Sequence, residues 1–158
     1  MTRTISRRAF LRTAAVSTGA TLAACLGAFG YANTIEPDWL ELTRPELRLP
    51  RLDAAFDGYR IAHLTDIHFD NMGMDRARLA EIVALINAER PDLIAITGDF
   101  VTQHPARYED WLRDGLAGLR AADGVMAVAG NHDYWYDGGI WMPNIVTAAG
   151  ARWLSDSF

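Results

Sequence analysis

The 158 residues carry 50% apolar and 22% charged side chains, a balance that supports a packed core and excludes global disorder. All 15 basic residues are Arg, and four of them (Arg3, Arg7, Arg8, Arg12) precede the first acid, Glu36. From residue 33 onward, 11 Arg face 20 acidic residues, a net charge of −9 that argues against nucleic acid as a partner and fits a site that collects cations. The single cysteine, Cys25, excludes a disulfide scaffold and leaves the remainder without a thiolate nucleophile.

Residues 1–32 read as an export leader. Ser6-Arg7-Arg8-Ala9-Phe10-Leu11 precedes a modestly apolar run that reaches Ala32 without an acid, the pattern of a secretory signal. The paired arginines resemble a twin-arginine signal, which implies the Tat export machinery as a partner and a place on or beyond the bacterial cytoplasmic membrane. Thr13–Ala32 is 20 residues, just long enough to span a bilayer. Leu22-Ala23-Ala24-Cys25 resembles a lipoprotein box, and Gly30-Tyr31-Ala32 offers a peptidase site. Cleavage, lipidation at Cys25 and retention as an anchor are all open to this segment.

Residues 33–58 form a short N-terminal region. Its stretch WLELTRPELRLP alternates from Trp39 to Pro50 and predicts a hairpin of short strands broken at Pro45. The main domain is residues 59–158. It opens with a strand from Tyr59 to Asp66. Residues 75–90 place Leu79, Ile82, Val83, Leu85 and Ile86 at helical spacing until Pro91 stops the pattern. Asp92–Gly98 is a buried-type strand. Residues 107–122 predict a second helix with Trp111, Leu112, Leu116 and Leu119 inward. Gly124–Ala129 is a third strand, residues 139–149 a weaker helix, and Ala151–Leu154 the start of a fourth strand. Trp39, Trp111 and Trp153 are expected in the core.

Alternating strands and helices at this repeat imply parallel βαβ units, an α/β class in which ligands bind beyond the carboxyl ends of the strands. The three strands end in Thr65-Asp66-Ile67-His68, Gly98-Asp99-Phe100 and Gly130-Asn131-His132-Asp133. Asp66 to Asp99 is 33 residues and Asp99 to Asn131 is 32, so each βα unit returns a metal-capable side chain to the same edge. Carboxylates, an amide and imidazoles together suit Mn, Fe or Zn. Asp66 and His68 point the same way if the strand pleat persists, and Asp99, on the middle return, could bridge two ions. Gly98 and Gly130 permit tight turns beside the ligands.

The set D-x-H, G-D and G-N-H-D resembles the calcineurin-like metallophosphoesterases from about Tyr59 onward. The resemblance implies a layered α-β-β-α sandwich and two divalent ions. Asp66, His68 and Asp99 would hold the first, with Asp99 bridging, and Asn131 would hold the second. His132 would protonate the leaving group and contact the phosphate, and Asp133 would orient its imidazole. The implied reaction is hydrolysis of a phosphodiester or pyrophosphate by hydroxide activated between the ions. Gly98-Asp99-Phe100-Val101-Thr102-Gln103 departs from the phosphoprotein-phosphatase pattern GDxVDRG, so that branch's phosphate-gripping Arg is missing. The leader makes the chain more similar to exported or membrane-associated phosphodiesterases, some of which cleave the pyrophosphate of UDP-diacylglucosamine. A phosphate ester, lipid-linked or nucleotide-sugar, is the implied substrate class.

The family's second half normally adds a further His and a G-H-x-H, yet of His63, His68, His104 and His132 none follows residue 132. The expectation is therefore the N-terminal half of such a domain, with weak metal binding and negligible turnover from these residues alone. His104 is the one substitute ligand on offer, and His63 is expected to pack within its strand. Tyr134-Trp135-Tyr136, with Trp141 and Met142, reads equally well as a wall of the substrate cleft or as a loop packed on the core. Two other functions compete with the phosphoesterase. One is a non-catalytic, membrane-associated module that binds metal or phosphate. The other is a nuclease, which the acidic body and the leader disfavour.

Overall fold

The computed structural model describes residues 6–35, 39–70, 73–102, 105–135 and 140–155. The chain divides into two compact units, Met1–Arg48 and Leu49–Phe158.

The first unit is dominated by α1 (Arg7–Thr34), a helix of 28 residues. Ser6 caps it, its hydroxyl accepting from Ala9 N at 3.3 Å. At 1.5 Å per residue it is about 42 Å long, more than the roughly 30 Å of a bilayer's hydrocarbon. It is long and apolar enough to cross a membrane, and none of its residues is buried. The arginine pair Arg7-Arg8 lies in its first turn, where the helix dipole gives positive charge no help. The hairpin expected over residues 39–50 is not formed: residues 39–49 have no regular structure. Pro45 withholds a backbone donor, and a two-stranded ribbon without a partner layer is marginal in water. Trp39, expected in the core, is 71% exposed.

The second unit is a four-stranded sheet in the order β1-β2-β3-β4, all parallel. The strands are β1 (Ile61–Leu64), β2 (Leu93–Ile96), β3 (Val125–Ala127) and β4 (Arg152–Trp153). Between them run α2 (Arg76–Ala88), α3 (Glu109–Leu116) and α4 (Trp141–Ala148). Consecutive strands joined by right-handed crossovers place all three helices on one face of the sheet. Burial agrees: Ile94, Ile96 and Ala127 are buried, whereas Leu93, Ala95 and Met126 on the other face are half-buried. Of the four layers of the expected sandwich, these residues form one helical layer and one sheet.

Asp75 caps α2 by accepting from Arg78 N at 2.8 Å, and Leu79, Ile82, Val83 and Ile86 form its buried stripe. The second helix is shorter than its apolar pattern predicts. It ends at Leu116, and beyond it Arg120 Nη1 donates to the carbonyls of Ala117 and Leu119. Leu112, Leu116 and Leu119 are buried as expected, but Trp111 is 37% exposed and lies beneath the Arg76 guanidinium instead. Trp153 is half-buried, with its ring near Phe100. His63 was expected to pack. It lies on the open face of the edge strand, exposed, with Nε2 2.7 Å from Thr97 Oγ1.

Asn87 ties the end of α2 to the turn after α3. Its Nδ2 donates to Gly118 O at 2.9 Å, and its Oδ1 accepts from Arg120 N at 2.8 Å. Asn87→Ala leaves both backbone groups without these partners, and we expect a loss of about 1–3 kcal/mol in urea unfolding. An unchanged midpoint would show that water replaces the amide without cost.

Candidate metal centre

The sheet positions the site through its carboxyl edge. Thr97 N donates to Leu64 O at 3.0 Å, and Asp66 N donates to Gly98 O at 3.2 Å. The ladder resumes with His68 N to Asp99 O and Phe69 N to Phe100 O, both 2.9 Å, and Phe69 pairs with Val101. Between these points the backbone is not a regular pleat. Asp66, His68 and Asp99 all take left-handed conformations, with φ of 52°, 45° and 53°. Such a conformation costs a non-glycine residue about 1–2 kcal/mol, and it concentrates here on metal-capable side chains. The same-side relation of Asp66 and His68 survives the kinks, because Ile67 between them turns fully into the core.

The outcome is a cluster. His68, Asp99 and His132 offer ligand atoms that lie within 4.8 Å of one another. His68 Nε2 is 3.7 Å from Asp99 Oδ2 and 3.8 Å from Asp66 Oδ1. Donors about 2.1 Å from a shared dication sit roughly 3–4 Å apart, so this geometry fits an ion with little movement. Thr102 Oγ1, 3.5 Å from His68 Nδ1, stands on the far side of the ring and leaves Nε2 facing the carboxylates. Asp99 is the central residue. Its Oδ1 accepts from His132 N at 2.9 Å while its Oδ2 faces His68. Asn131 begins the 3-10 turn His132–Tyr134 with an exposed side chain that makes no cap hydrogen bond.

Asp133 does something other than expected. It is 1% exposed, and its two oxygens accept three backbone N–H groups: Asp99 and Gly130 on Oδ2 at 2.9 and 2.8 Å, Phe100 on Oδ1 at 2.9 Å. It therefore staples the loop after β2 to the loop after β3. Burial pushes its carboxyl above the usual carboxylate range, the three N–H donors pull it back, and the nearby Asp99 charge adds to the rise. The imidazole it was expected to orient has a different surrounding. His132 Nδ1 is buried with no hydrogen-bond partner among the described residues. The ring stands edge-to-face on His68 at 4.7 Å and lies against Trp135 at 3.8 Å, tilted 38°.

His104 and Tyr136 lie outside the described residues. Of the aromatic stretch, Met142 is fully buried in the core, whereas Tyr134, Trp135 and Trp141 are exposed. Two contacts escaped the sequence reading: the Asp133 staple and the Trp135 stack. The second had a signal. A 3-10 turn has 3.0 residues per turn and so aligns positions i and i+3, here His132 and Trp135. Recognising it needed the turn type, which Asn131-His132-Asp133 does not reveal by composition.

Three relatives bear on this geometry. The chain is 36% identical over 119 residues to UDP-2,3-diacylglucosamine pyrophosphatase LpxG of Chlamydia muridarum, covering 75% of this chain and 36% of that protein. It is 31% identical over 150 residues to the uncharacterized metallophosphoesterase YkuE of Bacillus subtilis, covering 92% and 51%. It is 34% identical over 129 residues to the phosphodiesterase YaeI of Escherichia coli, covering 82% and 45%. The chain thus spans about a third to a half of the length of these curated relatives. The family described as calcineurin-like phosphoesterase matches residues 59–156, the stretch that carries the whole rim from β1 to β4. With that match and this edge of carboxylates and imidazoles, the chain belongs to the calcineurin-like phosphoesterases.

Proposed function

We propose that this chain is part of a metal-dependent phosphoesterase that hydrolyses a phosphodiester or a pyrophosphate. The observation that carries the reading is the convergence of His68, Asp99 and His132 at one sheet edge, with Asp66 beside them. In this reading Asp66, His68 and Asp99 hold one dication (Mn, Fe or Zn), and Asn131 with Asp99 contributes to a second. Bound dications would supply neutralisation of phosphoryl charge and a water acidified for attack at neutral pH. The chain's own part is to set donors and proton. Asp99, fixed by the His132 N–H, cannot swing away from His68. His132 delivers a proton to the departing oxygen, and its half-buried ring limits exchange with bulk water. Two ions need more donors than these residues offer, so the proposal includes ligands from outside this stretch.

The similarity to a UDP-2,3-diacylglucosamine pyrophosphatase supports a lipid-linked or nucleotide-sugar pyrophosphate as substrate. Helix α1 supports association with a membrane, and its Arg7-Arg8 start supports export by the Tat route. The test uses protein expressed from the complete reading frame, with bis-p-nitrophenyl phosphate and Mn. Asp99→Asn keeps an oxygen for the His132 N–H but removes the charge. We expect it to lower turnover by more than about 100-fold, because changes to residues that merely support a ligand already cost up to that much. Turnover that survives chelation, or that is unaltered by Asp99→Asn, would exclude the reading. Tight Mn binding in calorimetry without any turnover would favour a non-catalytic membrane-associated module instead.

A further inference from the structure

We infer that Trp135 is a positioning residue for His132, holding the imidazole by its ring face where a hydrogen bond would ordinarily do so. The inference rests on the phosphoesterase reading above. A functional imidazole is usually oriented through its second nitrogen, which donates to a carboxylate or carbonyl. Here that device is missing among the described residues. His132 Nδ1 is buried without a partner, and Asp133, the neighbouring carboxylate, has both oxygens engaged by backbone N–H groups. What contacts the ring instead is aromatic: His68 edge-on at 4.7 Å and Trp135 at 3.8 Å.

The Trp135 contact is the closer of the two, and it is nearer than the usual range of aromatic pairs, about 4.5–7 Å between centroids. Trp135 is also 64% exposed, so its indole is not a core residue that happens to touch His132. Its position follows from the backbone, because the 3-10 turn beginning at His132 brings residue 135 over residue 132. An indole tilted 38° against one face at this distance resists rotation of the imidazole about its Cβ–Cγ bond. The opposite constraint comes from His68, itself fixed between Asp66, Asp99 and Thr102. The ring is held between a metal-facing histidine and an exposed tryptophan.

Because His132 acts when the leaving group departs, its misplacement should lower kcat and leave substrate binding largely intact. The experiment compares Trp135→Ala, Trp135→Leu and Trp135→Phe in Mn-loaded protein from the complete reading frame, acting on bis-p-nitrophenyl phosphate. We expect Ala and Leu to lower kcat about 10–100-fold, as small misplacements of a reacting group do, with KM and Mn affinity within roughly 3-fold. Phe keeps a flat face and should recover most of the loss. In a His132→Ala background, Trp135→Ala should lower kcat no further, since the two residues act as a unit.

An independent readout is the ring proton of His132 in NMR, displaced upfield by the indole and returning downfield in Trp135→Ala. Unchanged kcat in Trp135→Ala, a rise in KM alone, or an additive loss on top of His132→Ala would each overturn the inference. Wild-type protein without turnover would sink the phosphoesterase reading instead. The His132 proton would then decide the stack by itself, and an unshifted resonance would overturn it.

Discussion

Asp133→Ala is expected to cost the fold about 3–5 kcal/mol and to dissolve the rim, although Asp133 contacts none of the clustered ligand atoms through its carboxylate. The reason is the position of the three N–H groups it satisfies. Asp99 N, Phe100 N and Gly130 N belong to two loops that no strand pairing joins, since the β2–β3 ladder ends at the pair Ile96 and Ala127. Phe100 is fully buried and Asp99 is 8% exposed, so water does not readily replace the carboxylate. Each orphaned buried donor costs on the order of 1–3 kcal/mol. Asp133→Asn separates charge from geometry. If its amide oxygen takes the Oδ2 position, it still accepts from Asp99 and Gly130, while its NH2 faces the Phe100 N–H. We expect it to lose roughly 1–3 kcal/mol, less than Ala. Urea unfolding of both variants measures the order. Equal losses would mean that the staple contributes through its charge alone, and no loss would remove it from the account.

That staple also marks how far the sequence could be read. The strands, their parallel βαβ connection and the return of Asp66, Asp99 and Asn131 to one sheet edge follow from periodicity and from the 33- and 32-residue spacings between those residues. These depend on local pattern and on a topology with few alternatives, so they are legible. The errors share a different cause. Alternation at 39–50 predicts a hairpin and apolar character places Trp39 in the core, but pairing and burial depend on a partner layer, which composition does not encode. Trp111 was placed inward by helical spacing, yet it lies at the border of the stripe, under Arg76. Asp133 was given to the imidazole through the resemblance. Only the three-dimensional approach of two loops shows that its oxygens are engaged by three backbone donors. Hydrogen bonds that span some 33 residues between irregular segments have no periodic trace in a sequence.

Gly98→Ala should be the most damaging single methyl group in the second unit. Two effects add at this position. Gly98 has a φ of 90°, which side chains rarely adopt, and a Cβ there would overlap Gly130 N, Gly130 Cα and the Ala129 carbonyl carbon. The conflict is between two backbones, so no rotamer relieves it, and the loops after β2 and β3 must separate. Separation breaks the bonds from Asp99 N and Phe100 N to Asp133 and the bond from His132 N to Asp99. Gly124→Ala is the control. Gly124 has the same φ of 90° but open space around the added methyl, so it isolates the conformational cost. We expect about 1–2 kcal/mol for Gly124→Ala, the ordinary penalty of a left-handed residue. For Gly98→Ala we expect at least about 3 kcal/mol, because overpacking against an unyielding neighbour adds to that penalty. Mn binding supplies a second measurement. Gly124 lies at the opposite end of β3 from the cluster and should leave affinity unaltered, whereas Gly98→Ala should abolish it at temperatures where the fold persists. Similar losses from the two variants would mean that the loops do not approach as closely as the rim requires. In that case the cluster of His68, Asp99 and His132 would lose the contact that brings its third member within reach of the other two.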